Sequence, residues 1–148
     1  MALIDALKSM FLRPSAALQV AMLCTRQGPE GTEVVLVKSL DSGRWILPKG
    51  WPMPGRTLVD AAAQEAWEEA GARGTVLPDE IARIPANKRL KTGLDLPCDL
   101  VVFRMDDTTL AEDYPEAGKR KRKMLPVAKA AARADVDEIG DLIRRALG

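Results

Sequence analysis

Three glutamates, Glu65, Glu68 and Glu69, fall at i, i+3 and i+4 in an alanine-rich stretch that closes on Ala70-Gly71. At about 100° per residue, a helix brings all three carboxylates to one face within a turn of each other. Like charges crowded this way repel, and they cost stability unless a cation sits among them. A hard divalent cation such as Mg²⁺ suits oxygen ligands of this kind. Ahead of them runs Leu47-Pro48-Lys49-Gly50-Trp51-Pro52-Met53-Pro54-Gly55. Glycine lets such a loop turn tightly and bring its backbone close to a metal or phosphate, and proline limits the entropy lost on ordering it. We read the whole stretch as a metal site and an active site. Three glutamates on a helix are by themselves more often a solvated face; loop, capping, spacing and flanks together favour the site.

Composition narrows the chemistry. Histidine is absent from the 148 residues, which excludes Ser-His-Asp and Cys-His catalysis, His-requiring zinc sites and phosphohistidine relays. Acid–base work falls to carboxylates, lysines, Tyr114 or metal-bound water. The net charge of +1 gives no global field for nucleic acid or membrane. Cys24 and Cys98 sit in apolar runs and read as core residues of a reduced, cytoplasmic protein rather than a disulfide. We expect no secretion signal, and no apolar run approaches the length of about 20 residues that spans a bilayer. At 47% hydrophobic, the chain suits one domain over residues 1–148. Residues 1–14 would form an N-terminal extension, with Leu3, Ile4, Leu7, Met10 and Phe11 near one face of a short helix.

The elements that must hold the carboxylates follow from pattern. Ala16–Leu23 reads as a strand, Val34–Val37 as a central strand buried on both faces, and Trp45–Leu47 as a short strand feeding the loop. Thr57 is the expected N-cap of a helix over Leu58–Ala70, and Gly71 its C′ residue. Strands are expected over Arg73–Leu77, Glu80–Ile84 and Leu96–Met105. Asn87–Asp95 reads as a basic loop or hairpin and Thr108–Gly118 as an acidic loop. Lys119-Arg120-Lys121-Arg122-Lys123 reads as a solvated segment or as a clamp for an anionic substrate. Val127–Ala134 and Val136–Leu147 read as C-terminal helices. Strands interleaved with helices make a mixed α/β fold.

Gly50–Ala72 resembles the signature of the Nudix hydrolases, G-x5-E-x7-R-E-U-x-E-E-x-G-U, with U a bulky aliphatic residue. Gly50, Glu65, Glu68, Glu69 and Gly71 fall at its spacing. Arg56 stands where the family has its first glutamate, and Gln64 where it has arginine. These two departures could be linked halves of one lost salt bridge. Gly43–Trp51 and Tyr114-Pro115-Glu116…Gly118-Lys119-Arg120 look like the diphosphoinositol polyphosphate phosphohydrolase branch. Lys121–Leu125 departs from that branch, where an acidic residue and Trp-Phe are usual.

The resemblance implies an α/β/α sandwich with a mixed sheet. It implies Mg²⁺ or Mn²⁺ held by Glu65, Glu69 and the Gly50 carbonyl, with Glu68 as general base or further ligand. Lys49, Lys88, Arg89, Lys91 and Arg120 are candidates for binding the anionic substrate. Such a site hydrolyses phosphoanhydrides: the metal neutralises charge on the phosphate oxygens and activates a water, and a nearby carboxylate accepts its proton. The branch resemblance favours a diphosphoinositol or dinucleoside polyphosphate, with a housecleaning nucleotide pyrophosphatase close behind. A non-catalytic module binding a phosphorylated ligand is the alternative that Arg56 and Gln64 favour. RNA processing rests on the five-cation run alone, so a nucleic-acid partner is not expected. The oligomeric state, monomer or homodimer, is open.

Overall fold

A computed structural model describes residues 17–148, with the backbone alone for residues 87–89. The expected N-terminal helix lies outside the described residues. Among the described residues eight strands and three helices follow one another as β1 (Ala17–Gly28), β2 (Gly31–Lys38), β3 (Trp45–Ile46), β4 (Lys49–Gly50), α1 (Leu58–Ala70), β5 (Ala72–Val76), β6 (Ala82–Arg89), β7 (Asp95–Leu110), β8 (Arg122–Pro126), α2 (Val127–Arg133) and α3 (Asp137–Leu147).

The sheet is mixed. Its main path runs β3-β2-β1-β7-β5, with β4 on β1, β6 on β7 and β8 on β2. β1 and β7 are parallel, Val20 facing Val101, and the other pairings are antiparallel. Val20–Cys24, Val34–Val37, Val101 and Val102 are almost fully buried, as expected of strands covered on both faces. α1 packs against β1, β4 and β5, and α2 and α3 pack against β2 and β6. This is the expected sandwich.

α1 begins and ends where its sequence dictates. The Thr57 hydroxyl accepts the Asp60 N–H at 3.2 Å, satisfying one of the orphan donors of the first turn. Gly71 adopts φ 64°, and its N–H returns to the Trp67 carbonyl at 2.9 Å. Here glycine is needed twice over, for the left-handed cap and because a β-carbon would press into the Tyr114 ring. Ala61, Ala62, Ala66 and Ala70 form the buried stripe. Their small size lets the helix lie close to the sheet, and Glu69 rides inward with them at 6% exposure.

Of the two readings of Asn87–Asp95, the hairpin holds: residues 87–89 belong to β6 and face Asp95–Pro97. Two expectations about the connections need correction. β7 continues to Leu110, past the start of the expected acidic loop. The five-cation run is not a solvated segment throughout: Arg122 and Lys123 open β8, opposite Val37 and Leu36. Strong charge concealed a strand there, because the backbone pairs with β2 while each cation finds its own partner.

Candidate active site

The short strand β4 pairs with β1, setting Lys49 opposite Ala21 and Gly50 opposite Val20. This pins the end of the loop against the middle of the sheet, directly beneath α1. The Lys49 N–H donates to Glu69 Oε1 at 2.8 Å. Gly50 faces Glu65 so closely that any β-carbon there would overlap its carboxylate. Loop and helix are thus joined through the two glutamates at i and i+4, Glu65 against Gly50 and Glu69 on the Lys49 N–H.

Glu69 carries a second partner. Arg120 places Nη1 2.7 Å from Glu69 Oε2 and Nη2 2.8 Å from Glu116 Oε1. Arg120 is itself nearly buried, and its Nε makes no hydrogen bond. The Glu116 N–H donates to the Glu68 carbonyl at 3.0 Å, which holds this loop against the end of α1. Arg122 adds another tie, with Nη1 donating to the Ala70 carbonyl at 2.6 Å and its guanidinium over the Tyr114 ring at 4.6 Å.

These surroundings set the charge states. Burial, and then the charges of Glu69, Glu68 and Glu116, push the Glu65 carboxyl up to about 7 despite the opposing Arg120. Burial also raises Glu69, against the pull of the Lys49 N–H and Arg120.

Glu68 stands to one side of this group. Its Oε1 accepts the Gln64 amide at 2.9 Å, and Gln64 Oε1 accepts Arg56 Nη1 at 3.3 Å. The two positions that depart from the signature are therefore in contact, as linked substitutions require.

Glu65 and Glu69 open onto a cleft of about 460 Å³, which Glu68 does not line. Glu116, Arg120, Lys49 and Gln19 add polar lining, and Leu40, Ile46, Trp51 and Met53 add apolar lining. Lys49 Nζ lies 2.9 Å from the buried Gln19 Oε1. Trp51 is 43% exposed and Leu40 57%. Lys91 sits on the exposed β6–β7 turn and does not line the cleft. The side chains of Lys88 and Arg89 lie outside the described residues. Gln19 and Glu116 are among the cleft residues that escaped the sequence reading. Gln19, a lone amide in an apolar strand, was a usable signal. Glu116, one acid among several in its loop, was not.

A scan against family models matches the NUDIX domain over residues 17–145. The chain belongs to the Nudix family. It is 31% identical over 101 residues to Nudix hydrolase 12, mitochondrial, of Arabidopsis thaliana, a match covering 66% of this chain and 50% of that protein. The chain thus spans about half the length of that curated relative. Among solved structures, a C. elegans Ap4A hydrolase superposes with TM-score 0.61 at 21% identity, covering 88% of this chain and 95% of that one. The NUDIX domain of Shewanella oneidensis NrtR, complexed with ADP ribose, gives TM-score 0.61 at 16% identity over 98% and 95%. At such identities these likenesses concern the fold. None of the described helices is long and apolar enough to cross a membrane.

Nudix hydrolases generally work with a divalent metal, and the donor set here fits one. The Glu65 carboxylate lies against Gly50 and the Glu69 carboxylate against the Lys49 N–H, and hard cations accept carboxylate and carbonyl oxygens. Burial first, and then its anionic neighbours, raise the Glu65 carboxyl to about 7, and a cation placed there would relieve that crowding.

Proposed function

We propose that this Nudix chain is a divalent-metal-dependent hydrolase of phosphoanhydride bonds, acting on a diphosphate joined to a nucleoside, with dinucleoside polyphosphates as the favoured form. The carrying observation is a cleft lined both by the carboxylates of Glu65, Glu69 and Glu116 and by the exposed Trp51 indole. An indole face stacks on a nucleobase for about 1–3 kcal/mol. Charge points the same way. The cleft lining has Lys49 and Arg120 against Asp41, Glu65, Glu69 and Glu116, a poor match for an inositol ring crowded with phosphates. The diphosphoinositol reading favoured by the branch resemblance therefore takes second place.

In this reading Glu65, Glu69 and the Gly50 carbonyl hold Mg²⁺ or Mn²⁺. The ion supplies charge neutralisation at the phosphate oxygens and a more acidic water. Lys49, tethered to Gln19, presents its ammonium to the phosphates. Glu68 accepts the proton of the attacking water, and the Gln64 amide fixes the rotamer in which it does so.

The test is phosphate release with Mg²⁺ or Mn²⁺ from dinucleoside polyphosphates, nucleoside triphosphates, nucleotide sugars and diphosphoinositol polyphosphates, for the parent and Glu68→Gln. Turnover of nucleoside substrates, lost in the variant, is expected. Turnover of the inositol substrates alone overturns the substrate class. Silence throughout, with thermal stabilisation by the same compounds, replaces the enzyme with a binding module.

A further inference from the structure

Among the described residues no three carboxylates are gathered into a ready cation cage, although Glu65, Glu69 and Glu116 line one cleft and feel one another's charge. The guanidinium of Arg120 stands among them. It bridges Glu69 and Glu116 at 2.7 and 2.8 Å from a nearly buried position. Its Nε is buried without an acceptor, so this pose leaves one of its own donors unmet, at a cost. Arg120 reaches the site from the loop before β8, and that loop is anchored at both ends, by Glu116 on the Glu68 carbonyl and by Arg122 on Ala70. The side chain can leave the carboxylates while its backbone stays in place.

We propose that Arg120 is an exchangeable internal counter-ion: it occupies the cation seat of the resting enzyme, and metal loading requires its guanidinium to release Glu69 and Glu116 and turn into the cleft. The inference rests on the metal-dependent reading above. A planar fork can bridge two carboxylates at once, which a single ammonium cannot do. While it does so the binding-competent fraction of the protein is small, and apparent metal affinity falls by that fraction. Once displaced, the same fork lies on the wall of the cleft and is free to meet an anionic group, so one cation serves the carboxylates in the resting state and the ligand in the loaded one.

The experiment titrates Mn²⁺ into the full chain without substrate, reading free Mn²⁺ by electron paramagnetic resonance, for the parent, Arg120→Gln and Arg120→Lys. In parallel, the Arg120 Nε–H signal of the parent is followed by NMR during Mg²⁺ addition. We expect both variants to bind Mn²⁺ tighter than the parent, by about tenfold where the arginine holds the seat nine-tenths of the time, and the Nε–H signal to shift with saturation. Tightening in Arg120→Gln but not in Arg120→Lys, with an unmoved signal, means simple repulsion at a distance and overturns the exchange. Equal binding by all three also overturns it while leaving the metal site intact. Absence of Mn²⁺ binding in all three overturns the exchange and the hydrolase reading together. If Arg120→Gln fails to fold, Arg120→Lys and the parent NMR titration carry the same decision.

Discussion

The Glu65 carboxylate fills the space in front of Gly50 where any other residue would place its β-carbon. The contact is between a backbone and the far end of a flexible side chain, so Gly50→Ala displaces Glu65 rather than the fold. Gly50 does not adopt a positive φ, and alanine meets no backbone strain there. The expected outcome is a change in stability within about 1 kcal/mol, with Mn²⁺ affinity weakened by about tenfold or more. Calorimetric titration and thermal melts of the same preparation check the split. A variant that melts like the parent and binds Mn²⁺ equally well contradicts the placement of Glu65.

The raised Glu65 carboxyl gives the metal-free protein a pH signature. Its value moves from 4.5 to about 7 on folding, so the folded state holds the proton more tightly than the unfolded chain. The stability this confers is complete below the unfolded value and is lost as pH climbs through about 7. Glu69 shifts in the same direction. In chelator, the parent is expected to melt lower at about pH 8 than at about pH 5.5, and Glu65→Gln to narrow that gap. A parent–variant difference that stays constant across this range contradicts the burial and crowding assigned to Glu65.

Arg56 and Gln64 invite a double-mutant cycle. Their side chains meet at 3.3 Å, at the two positions where the family signature carries Glu and Arg. Restoring that pair by Arg56→Glu with Gln64→Arg is expected to gain more stability than the single changes summed, by about 0.5 kcal/mol for so exposed a site. Urea denaturation of the four proteins measures it. Strict additivity removes the claim that the two departures compensate one another.

The sequence announced the helix, its caps and the approach of Gly50 to the glutamates because each is written in local residue types. Thr57, the alanine stripe and Gly71 specify α1 without outside help. The central strands were equally readable, since Val34–Val37 is buried on both faces and carries no polar residue. What stayed hidden depends on partners far along the chain. Arg120 and Arg122 read as part of one basic block, yet one enters the carboxylate cluster and the other stacks on Tyr114. Lys123 lies over Trp45 at 4.9 Å. A charge run looks solvated until the residues it will pair with are known. The same holds for Gln19, whose role comes from Lys49 thirty residues away.

Trp51 separates a nucleoside substrate from other phosphoanhydrides. If its indole carries a base, Trp51→Ala should raise KM for a dinucleoside polyphosphate by about tenfold, equivalent to about 1.4 kcal/mol of lost stacking. The kcat should hold, because a stacked ring contributes binding and supplies no proton or charge to the phosphates. KM for inorganic tripolyphosphate, which has no base, should not move. Equal effects on both substrates make Trp51 a packing residue and withdraw the nucleoside assignment.

Arg122 holds the C-terminal end of α1. α1 has no basic residue in its last turn, so the negative end of its dipole lacks a cation of its own. Arg122 supplies one from β8, donating to the Ala70 carbonyl and covering Tyr114. Arg122→Ala removes the hydrogen bond, the charge and the ring contact together, and leaves a half-buried carbonyl without its donor. A loss of about 2 kcal/mol is expected. Arg122→Lys keeps the charge but not the stacked fork, and should recover part of that loss. Because Glu68 and Glu69 lie in the turn that Arg122 secures, hydrogen exchange at the amides of Glu68, Glu69 and Ala70 should quicken in the alanine variant before global unfolding does. Faster exchange spread evenly over the sheet and all helices would instead mean that Arg122 serves the fold at large and has no particular hold on α1.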